Sequence, residues 1–259
     1  MVLTRWLMGG GLLLLGGLIS GGLSSCSASS PSAAAEIDQV NVRLVHVSPN
    51  TKGVGLMAGD STVLETHSYG QISTYVALPA GEYDLNLFSP NWALSDEFQF
   101  GRSILTDTLA DLEADGVFSV VAIDEVSRLT AIVLNDDVQP LFGQALVRFV
   151  HAVPDAPALE WQVDQEVVVG ELVFGEASDY QAVDPGFLTL NLRETLPASP
   201  EEAAETPTLQ PMRTDSPLKS IDLELAAGKV YTIYTTGLLR GSPSLDVVVG
   251  EDLLAGRSL

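Results

Sequence analysis

The chain has 259 residues, of which 34 are acidic and 12 are basic, so its formal net charge is −22. Such a surface repels nucleic acid and anionic lipid headgroups, and DNA or RNA binding is therefore not among the predicted functions. Cys26 is the only cysteine. Once it is modified, an exported form of the chain has neither disulfides nor thiol catalysis.

Residues 1–25 are predicted to be a lipoprotein signal peptide. Arg5 gives a short positive start, and the uncharged apolar run from Leu7 to Leu23 ends at Leu23-Ser24-Ser25-Cys26. This ending resembles the lipobox of bacterial lipoproteins, in which the chain is cut before an acylated cysteine. The resemblance implies lipidation at Cys26. An uncleaved signal anchor is the alternative, because the run approaches the length of a short membrane span.

Residues 26–39 are then the acylated cysteine and a flexible tether, because this segment is small, polar and rich in Ala and Ser. Ser27 stands where an Asp often signals retention in the inner membrane of Gram-negative bacteria. We therefore expect a cell-envelope protein that is held at the outer membrane by its lipid.

The remainder of the chain is one module used twice. Val42 to Pro49 returns as Val147 to Pro154, an offset of 105 residues (147 − 42). The same offset relates Tyr75 to Tyr180. A register that is kept without a gap predicts two copies of one domain, which we place at residues 40–139 and 140–259.

The first module shows the period of two that is typical of strands, beginning with Val40, Val42 and Leu44. Asp107 to Asp115 is predicted to be a strand followed by a turn, since a helix would place three carboxylates on one face. The other predicted strands run from Val40 to Val47, Ile72 to Leu78, Tyr83 to Phe88, Val117 to Ile123 and Thr130 to Leu134.

The second module repeats this plan, with a Pro/Glu-rich excursion near residues 193–217. Many short strands without an amphipathic helix predict an all-β protein, made of two tandem immunoglobulin-like antiparallel β-sandwiches. The predicted strands run from Leu146 to Ala152, Val167 to Val169, Phe187 to Leu192, Ser220 to Gly228, Val230 to Thr235 and Leu245 to Val249.

Two signatures in this pattern resemble the domain-of-unknown-function family 4397. Val42 to Asn50 reads Val-Arg-Leu-Val-His-Val-Ser-Pro-Asn, and His151 to Pro157 reads His-Ala-Val-Pro-Asp-Ala-Pro. Tyr75 to Gly81 and Gly228 to Thr232 are also similar to it. The resemblance implies immunoglobulin-like sandwiches of exported and surface proteins, often in tandem. It implies no activity, and no catalytic residue is carried over.

The paired histidines His46 and His151 are the first candidates for chemistry. Each shares strand parity with apolar neighbours, so its ring is expected to face inward and bond the turn that follows the proline. Arg43 and Arg148 have the opposite parity and are expected to pair with acidic neighbours. A structural role is favoured for all four, and a ligand or catalytic base is the alternative for the histidines.

No cofactor is expected. His67 has no counterpart in the second module, and three histidines without metal-ligand spacing argue against a transition-metal site. Calcium is the one metal to consider, because oxygen ligands cluster in loops, although none matches a calcium-loop spacing. These clusters are Asn135-Asp136-Asp137, Asp124-Glu125 and Glu251-Asp252.

Aromatic residues offer a second kind of site. Trp92, Phe98 and Phe100 form either a binding face or a cover over one end of the first sandwich. Trp161 lies in a predicted strand and is expected to be core.

These features predict a lipid-anchored, non-catalytic protein of the cell envelope with a binding or structural role. An envelope protein or polysaccharide is the expected partner, bound at an edge strand or an end loop. The alternatives are a periplasmic hydrolase of envelope polymers, with a His/carboxylate site where the modules meet, and a calcium-dependent adhesion module. The end loops are Asn50 to Gly55, Ser89 to Arg102, Asp155 to Ala158 and Arg193 to Pro217.

Overall fold

A computed structural model describes residues 38–89, 108–195 and 216–252, which form sixteen β-strands and one short 3-10 turn, Val126–Arg128. The first module contributes β1 Gln39–His46, β2 Gly53–Ala58, β3 Ser61–Ser68, β4 Val76–Pro79, β5 Gly81–Phe88, β6 Thr108–Leu112, β7 Val117–Ile123 and β8 Thr130–Asn135. The second contributes β9 Ala145–His151, β10 Leu159–Val163, β11 Glu166–Leu172, β12 Gln181–Val183, β13 Gly186–Glu194, β14 Lys219–Leu225, β15 Val230–Thr236 and β16 Asp246–Glu251.

Each module is a sandwich of two four-stranded sheets. The inner sheets have the orders β4-β1-β7-β8 and β12-β9-β15-β16, and the outer sheets have the orders β3-β2-β5-β6 and β11-β10-β13-β14. Neighbouring strands are antiparallel except for β1 with β7 and β9 with β15, which are parallel. The prediction of an all-β chain with two tandem immunoglobulin-like sandwiches is confirmed, and the two copies share one topology.

The core of each module lies between its inner and outer sheet, because alternate residues of each strand face the same side. In the second module Trp161 is fully buried and its ring stacks on Phe149, with 5.0 Å between the ring centroids. The prediction that Trp161 is core is confirmed.

Two sequence predictions need correction in the first module. The predicted strand Ile72 to Leu78 is shorter, since only Val76–Pro79 forms β4 and Ile72 makes a single bridge to Val45. The loop predicted from Asn50 to Gly55 ends earlier, because β2 begins at Gly53. Position 55 in this strand requires glycine because the Phe88 ring packs over it. A Cβ added to Gly55 would lie 2.4 Å from a ring carbon.

The described part of the segment Asp107 to Asp115, from Thr108 onwards, agrees with its prediction, because β6 is followed by a turn in which Asp115 has a φ of 60°. Other predictions fall outside the described residues: the signal peptide with Cys26, the tether, the aromatic group Trp92, Phe98 and Phe100, and most of the 193–217 excursion. In the described residues no helix is long and apolar enough to cross a membrane.

Candidate functional site

The two inner sheets pack against each other through the faces that point away from their own sandwiches. In β1 this face carries Arg43 and Val45, and in β9 it carries Arg148 and Val150. Both strands are therefore buried on two sides. The apolar part of the contact is formed by Val45, Val47, Val121, Ile123, Val150, Ala152 and Tyr234.

Arg43 reaches from the first module into the second. Its Nε donates to Ser119 Oγ at 2.7 Å, and its Nη1 donates to the carbonyl oxygen of Glu251 at 2.9 Å. Its Nη2 forms an ion pair with the carboxylate of Asp252, directly after β16. Only 2% of the Arg43 side chain and none of the Asp252 side chain is exposed, so this pair lies away from water.

Arg148 makes the reciprocal contacts. Its Nη1 donates to the carbonyl oxygen of Asn135 at 2.8 Å, and its Nη2 pairs with the carboxylate of Asp136, directly after β8. Thr232 takes the place of Ser119 and accepts from Arg148 Nη2 at 2.9 Å. Each arginine therefore binds the residue that follows the last strand of the other module.

Two tyrosines complete the arrangement. The guanidinium carbon of Arg43 lies 4.7 Å from the centre of the Tyr75 ring, and that of Arg148 lies 4.6 Å from the Tyr180 ring. The Tyr75 hydroxyl donates to Asp136 at 2.8 Å, and the Tyr180 hydroxyl donates to Asp252 at 2.9 Å. Each carboxylate thus accepts a hydrogen bond from the tyrosine of its own module and pairs with the arginine of the other module.

Hydroxyl groups supply the last bonds to the carboxylates. Ser119 Oγ donates to Asp136 at 2.5 Å, and Thr232 Oγ1 donates to Asp252 at 2.7 Å. We call the whole set the buried polar cluster. Its members are Arg43, Tyr75, Ser119, Asp136, Arg148, Tyr180, Thr232, Tyr234 and Asp252.

The buried polar cluster is electrically balanced, with two guanidinium groups and two carboxylates. The second arginine–carboxylate distances are 3.6 Å for Arg43 to Asp136 and 4.0 Å for Arg148 to Asp252, so all four charges are neighbours. Burial raises the pKa of Asp252, and Arg43 opposes that rise. Burial also raises the pKa of Tyr75 and of Tyr180, so both phenols keep the proton that they donate.

Tyr234 breaks the symmetry of the cluster. Pairing of β1 with β7 and of β9 with β15 places Tyr234 where the first module has Val121. The Tyr234 ring is fully buried, and its hydroxyl accepts from Arg43 Nη2 at 3.4 Å. Arg43 therefore has one partner that Arg148 lacks.

The histidines bond the turns, as the sequence predicted. His46 Nε2 donates to the carbonyl oxygen of Thr51 at 3.0 Å, and His151 Nε2 donates to that of Pro157 at 3.0 Å. Both rings are buried, with Tyr69 and Phe174 edge-on at 6.1 Å. Burial lowers the pKa of His46 to about 4 and also lowers the pKa of His151.

These lowered pKa values predict that acid destabilises the fold. The unfolded chain binds a proton at His46 near pH 6.5, whereas the folded chain binds it near pH 4. Stability from the neutral ring is therefore complete above pH 6.5 and is lost as the pH falls towards 4, by about 3 kcal/mol. Denaturant melts at pH 7, 5.5 and 4.5 measure this loss. His46→Gln keeps a donor without titrating and should reduce the pH dependence, leaving the part that His151 contributes. An unchanged dependence would contradict the assignment.

The residue that follows the proline of each signature, Asn50 or Asp155, binds a neighbouring loop through hydrogen bonds. Asp155 accepts the backbone N–H groups of Leu239 and Arg240, at 2.7 and 2.8 Å. In the first module Asn50 accepts the N–H of Val126 at 2.7 Å. The amide oxygen of Asn50 thus holds its loop in the first module as the carboxylate of Asp155 does in the second.

The other candidate metal ligands from the sequence are either paired with other side chains or exposed to solvent. Asp124 pairs with Arg128, and Asp136 and Asp252 are held by arginines and hydroxyls rather than open to calcium. In the part of the chain that the structure describes, no group of three His, Cys, Asp or Glu is placed to hold a metal ion. The His67 ring bonds the nearby carbonyl oxygen of Glu65, at 2.7 Å.

The hydrolase alternative requires a histidine beside a carboxylate where the modules meet. His46 and His151 instead bond turn carbonyls, and the groups that join the modules are the arginines, carboxylates and phenols already described. A cavity of about 430 Å³ lies in the second module, and Asp164, Glu166 and Asp184 are its charged lining residues. No histidine lines this cavity.

Sequence reasoning found the arginines but missed their partners. The offset of 105 residues holds through Tyr180, but Asp136 and Asp252 are 116 residues apart (252 − 136). The two modules have insertions of unequal length between the tyrosine and the aspartate, so a fixed offset does not show that Asp136 and Asp252 are equivalent. One signal remained, since each Asp follows a polar residue that ends a β-branched run, Asn135 or Glu251.

The fold and the buried polar cluster define a class: tandem β-sandwiches joined through their inner sheets by exchanged ion pairs. A family model described as domain of unknown function (DUF4397) matches residues 40–162 and again residues 145–257. The chain belongs to this family, in two tandem copies. A comparison with curated proteins found no match. The first match extends past residue 139, so the boundary between the modules stays a prediction.

Proposed function

We propose that this protein is a lipid-anchored component of the cell envelope that binds a partner or serves as a structural element, without catalysis. The observation that carries the proposal is the sequence Leu23-Ser24-Ser25-Cys26, which ends an uncharged apolar run and contains the only cysteine of the chain. Two or more acyl chains hold a protein durably at a membrane, whereas one holds it weakly. Both modules would then stand on the membrane through one tether.

The state of the perturbed groups supports a role without catalysis. Strongly shifted pKa values often mark reactive sites. Here the shifted groups Arg43, Arg148 and Asp252 are buried and Tyr75 is half-buried, and each of them is bonded to another member of the buried polar cluster. Their bonds hold two modules together, so their burial has a structural reason.

The proposed location is the outer membrane of a Gram-negative bacterium, because Ser27 is not the Asp that often retains lipoproteins in the inner membrane. The proposed partner is an envelope protein or polysaccharide. Edge strands such as β3 and β14 offer unpaired backbone groups for it. The loops that follow β1 and β9 offer side chains.

Replacing Cys26 with alanine tests the anchor. In a Gram-negative host, the wild-type chain should partition into detergent and lose residues 1–25, and intact mass should show added acyl chains. Cys26→Ala should lose both the acyl mass and the detergent partitioning, because no thiol remains to be acylated. Ser30→Ala, which keeps the thiol, is the matched control. An unacylated wild-type chain, still joined to its first 25 residues, would refute the proposal in favour of a signal anchor.

A further inference from the structure

One end of the molecule, which we call the base, collects the ends of both modules. β1 begins there at Gln39, and β8 ends there at Asn135 because it runs antiparallel to β7. The link of residues 136–144 joins it to the start of β9, which is the base of the second module. Thr236, at the far end of β15, donates to the carbonyl oxygen of Val47 after β1, so both modules point the same way.

The base carries exposed apolar side chains. Phe142 in the link is fully exposed, Leu141 beside it is 43% exposed, and Phe187 at the start of β13 is 83% exposed. Both of the large aromatic side chains that are exposed in the described residues therefore lie at this end. Exposed apolar groups that gather at one place mark an interaction surface.

The start of the described chain indicates what covers this surface. Asp38 lies at the base, where its carbonyl oxygen accepts the N–H of Ala80 at 2.8 Å. Only residues 27–37 separate it from Cys26. Even fully extended, these eleven residues reach no more than about 40 Å. An anchored lipid surface is therefore at high effective concentration at the base.

The negative charge of the base indicates which class of lipid it contacts. Asp137 and Asp184 are exposed at the base, and the formal net charge of the chain is −22. An anionic membrane would repel this end, whereas a zwitterionic one would not. Aromatic and leucine side chains enter the boundary between headgroups and acyl chains by about 5–10 Å.

We propose that the base rests on a zwitterionic lipid surface, with Leu141, Phe142 and Phe187 inserted among its headgroups. This inference rests on the proposed lipid anchor. The far ends of the modules, with the loops after β1 and β9, then face away from the membrane. Those loops are presented for a partner.

The test uses the acylated full-length chain in phosphatidylcholine vesicles. Phe142→Cys introduces one free thiol, since the thiol of Cys26 is blocked by its lipid, and an environment-sensitive fluorophore is attached there. Lys52→Cys places the same fluorophore on an exposed residue at the far end. We expect blue-shifted emission that brominated acyl chains quench at residue 142, and unshifted, unquenched emission at residue 52.

The other outcomes are distinguishable. Labelled protein that fails to float with vesicles would overturn the anchor and this inference together. Protein that floats while the residue 142 label reports water would overturn the inference alone. A blue shift without quenching by brominated lipid would assign the base to a second copy of the chain or to another protein. Equal quenching in phosphatidylglycerol vesicles would overturn the preference for zwitterionic lipid.

Discussion

Replacing Arg43 with methionine is expected to lower the free energy of unfolding by about 3–5 kcal/mol, since it removes one partner of a buried ion pair. Methionine fills a similar volume but leaves the Asp252 carboxylate without its nearer cation and the Glu251 carbonyl oxygen without its donor. Chemical denaturation of the full-length chain at pH 7 measures the change. Arg148→Met should cost a similar amount, because its contacts are reciprocal.

Arg128→Met is the matched control. Its pair with Asp124 has the same chemistry, but 62% of the Arg128 side chain is exposed, so the change should be within experimental error. Combining Arg43→Met with Asp252→Leu should recover much of the loss, because no charge is then left unpaired. If Arg43→Met unfolded like the control, the buried ion pair would not be a major stabilising contact.

The exchange of ion pairs fixes how the modules face each other. Apolar contacts such as those in the cluster of Val45 and Val150 tolerate sliding, because hydrophobic attraction has no direction. A planar guanidinium with fixed donors must meet its carboxylate in one register. The buried polar cluster thus selects one arrangement of the two modules. Each of its ion pairs occurs twice with the modules exchanging roles, as in the interface of an isologous dimer.

The sequence was sufficient for features that depend on local pattern. Alternation predicted β1, a β-branched run predicted β7, the place of Trp161 in a strand predicted its burial, and inward parity predicted the turn bonds of His46. These follow because a strand repeats every two residues and a side chain's face follows from its position. The offset of 105 residues supplied the tandem arrangement.

Contacts between distant segments could not be read in this way. Arg43 and Asp252 are 209 positions apart, and nothing in the period of a strand names a partner in another sheet. β2 was missed because Gly53 and Gly55 read as a loop, whereas the reason for Gly55 is the Phe88 ring packed over it. Such reasons exist only once the sheets are assembled.

Cutting the link between the modules should leave them together. A protease recognition site inserted between Leu141 and Phe142 lies in an exposed part of the link. The protease is added after both modules have folded. The exchanged ion pairs, the bond from Thr236 to Val47 and the apolar contact all survive the cut. We expect the cleaved chain to elute in size-exclusion chromatography as one particle at micromolar concentration.

Arg148→Met in the cleavable chain should separate the modules after cleavage, while leaving the uncut chain in one piece. Without the arginine, the Asp136 carboxylate and the Asn135 carbonyl oxygen must be desolvated without a cation or donor across the interface. In two separate modules water satisfies both groups, so dissociation becomes the favoured state. Cleavable Arg128→Met should elute like the cleaved parent chain. If the cleaved parent chain came apart as readily as Arg148→Met, the link and not the buried polar cluster would hold the modules together.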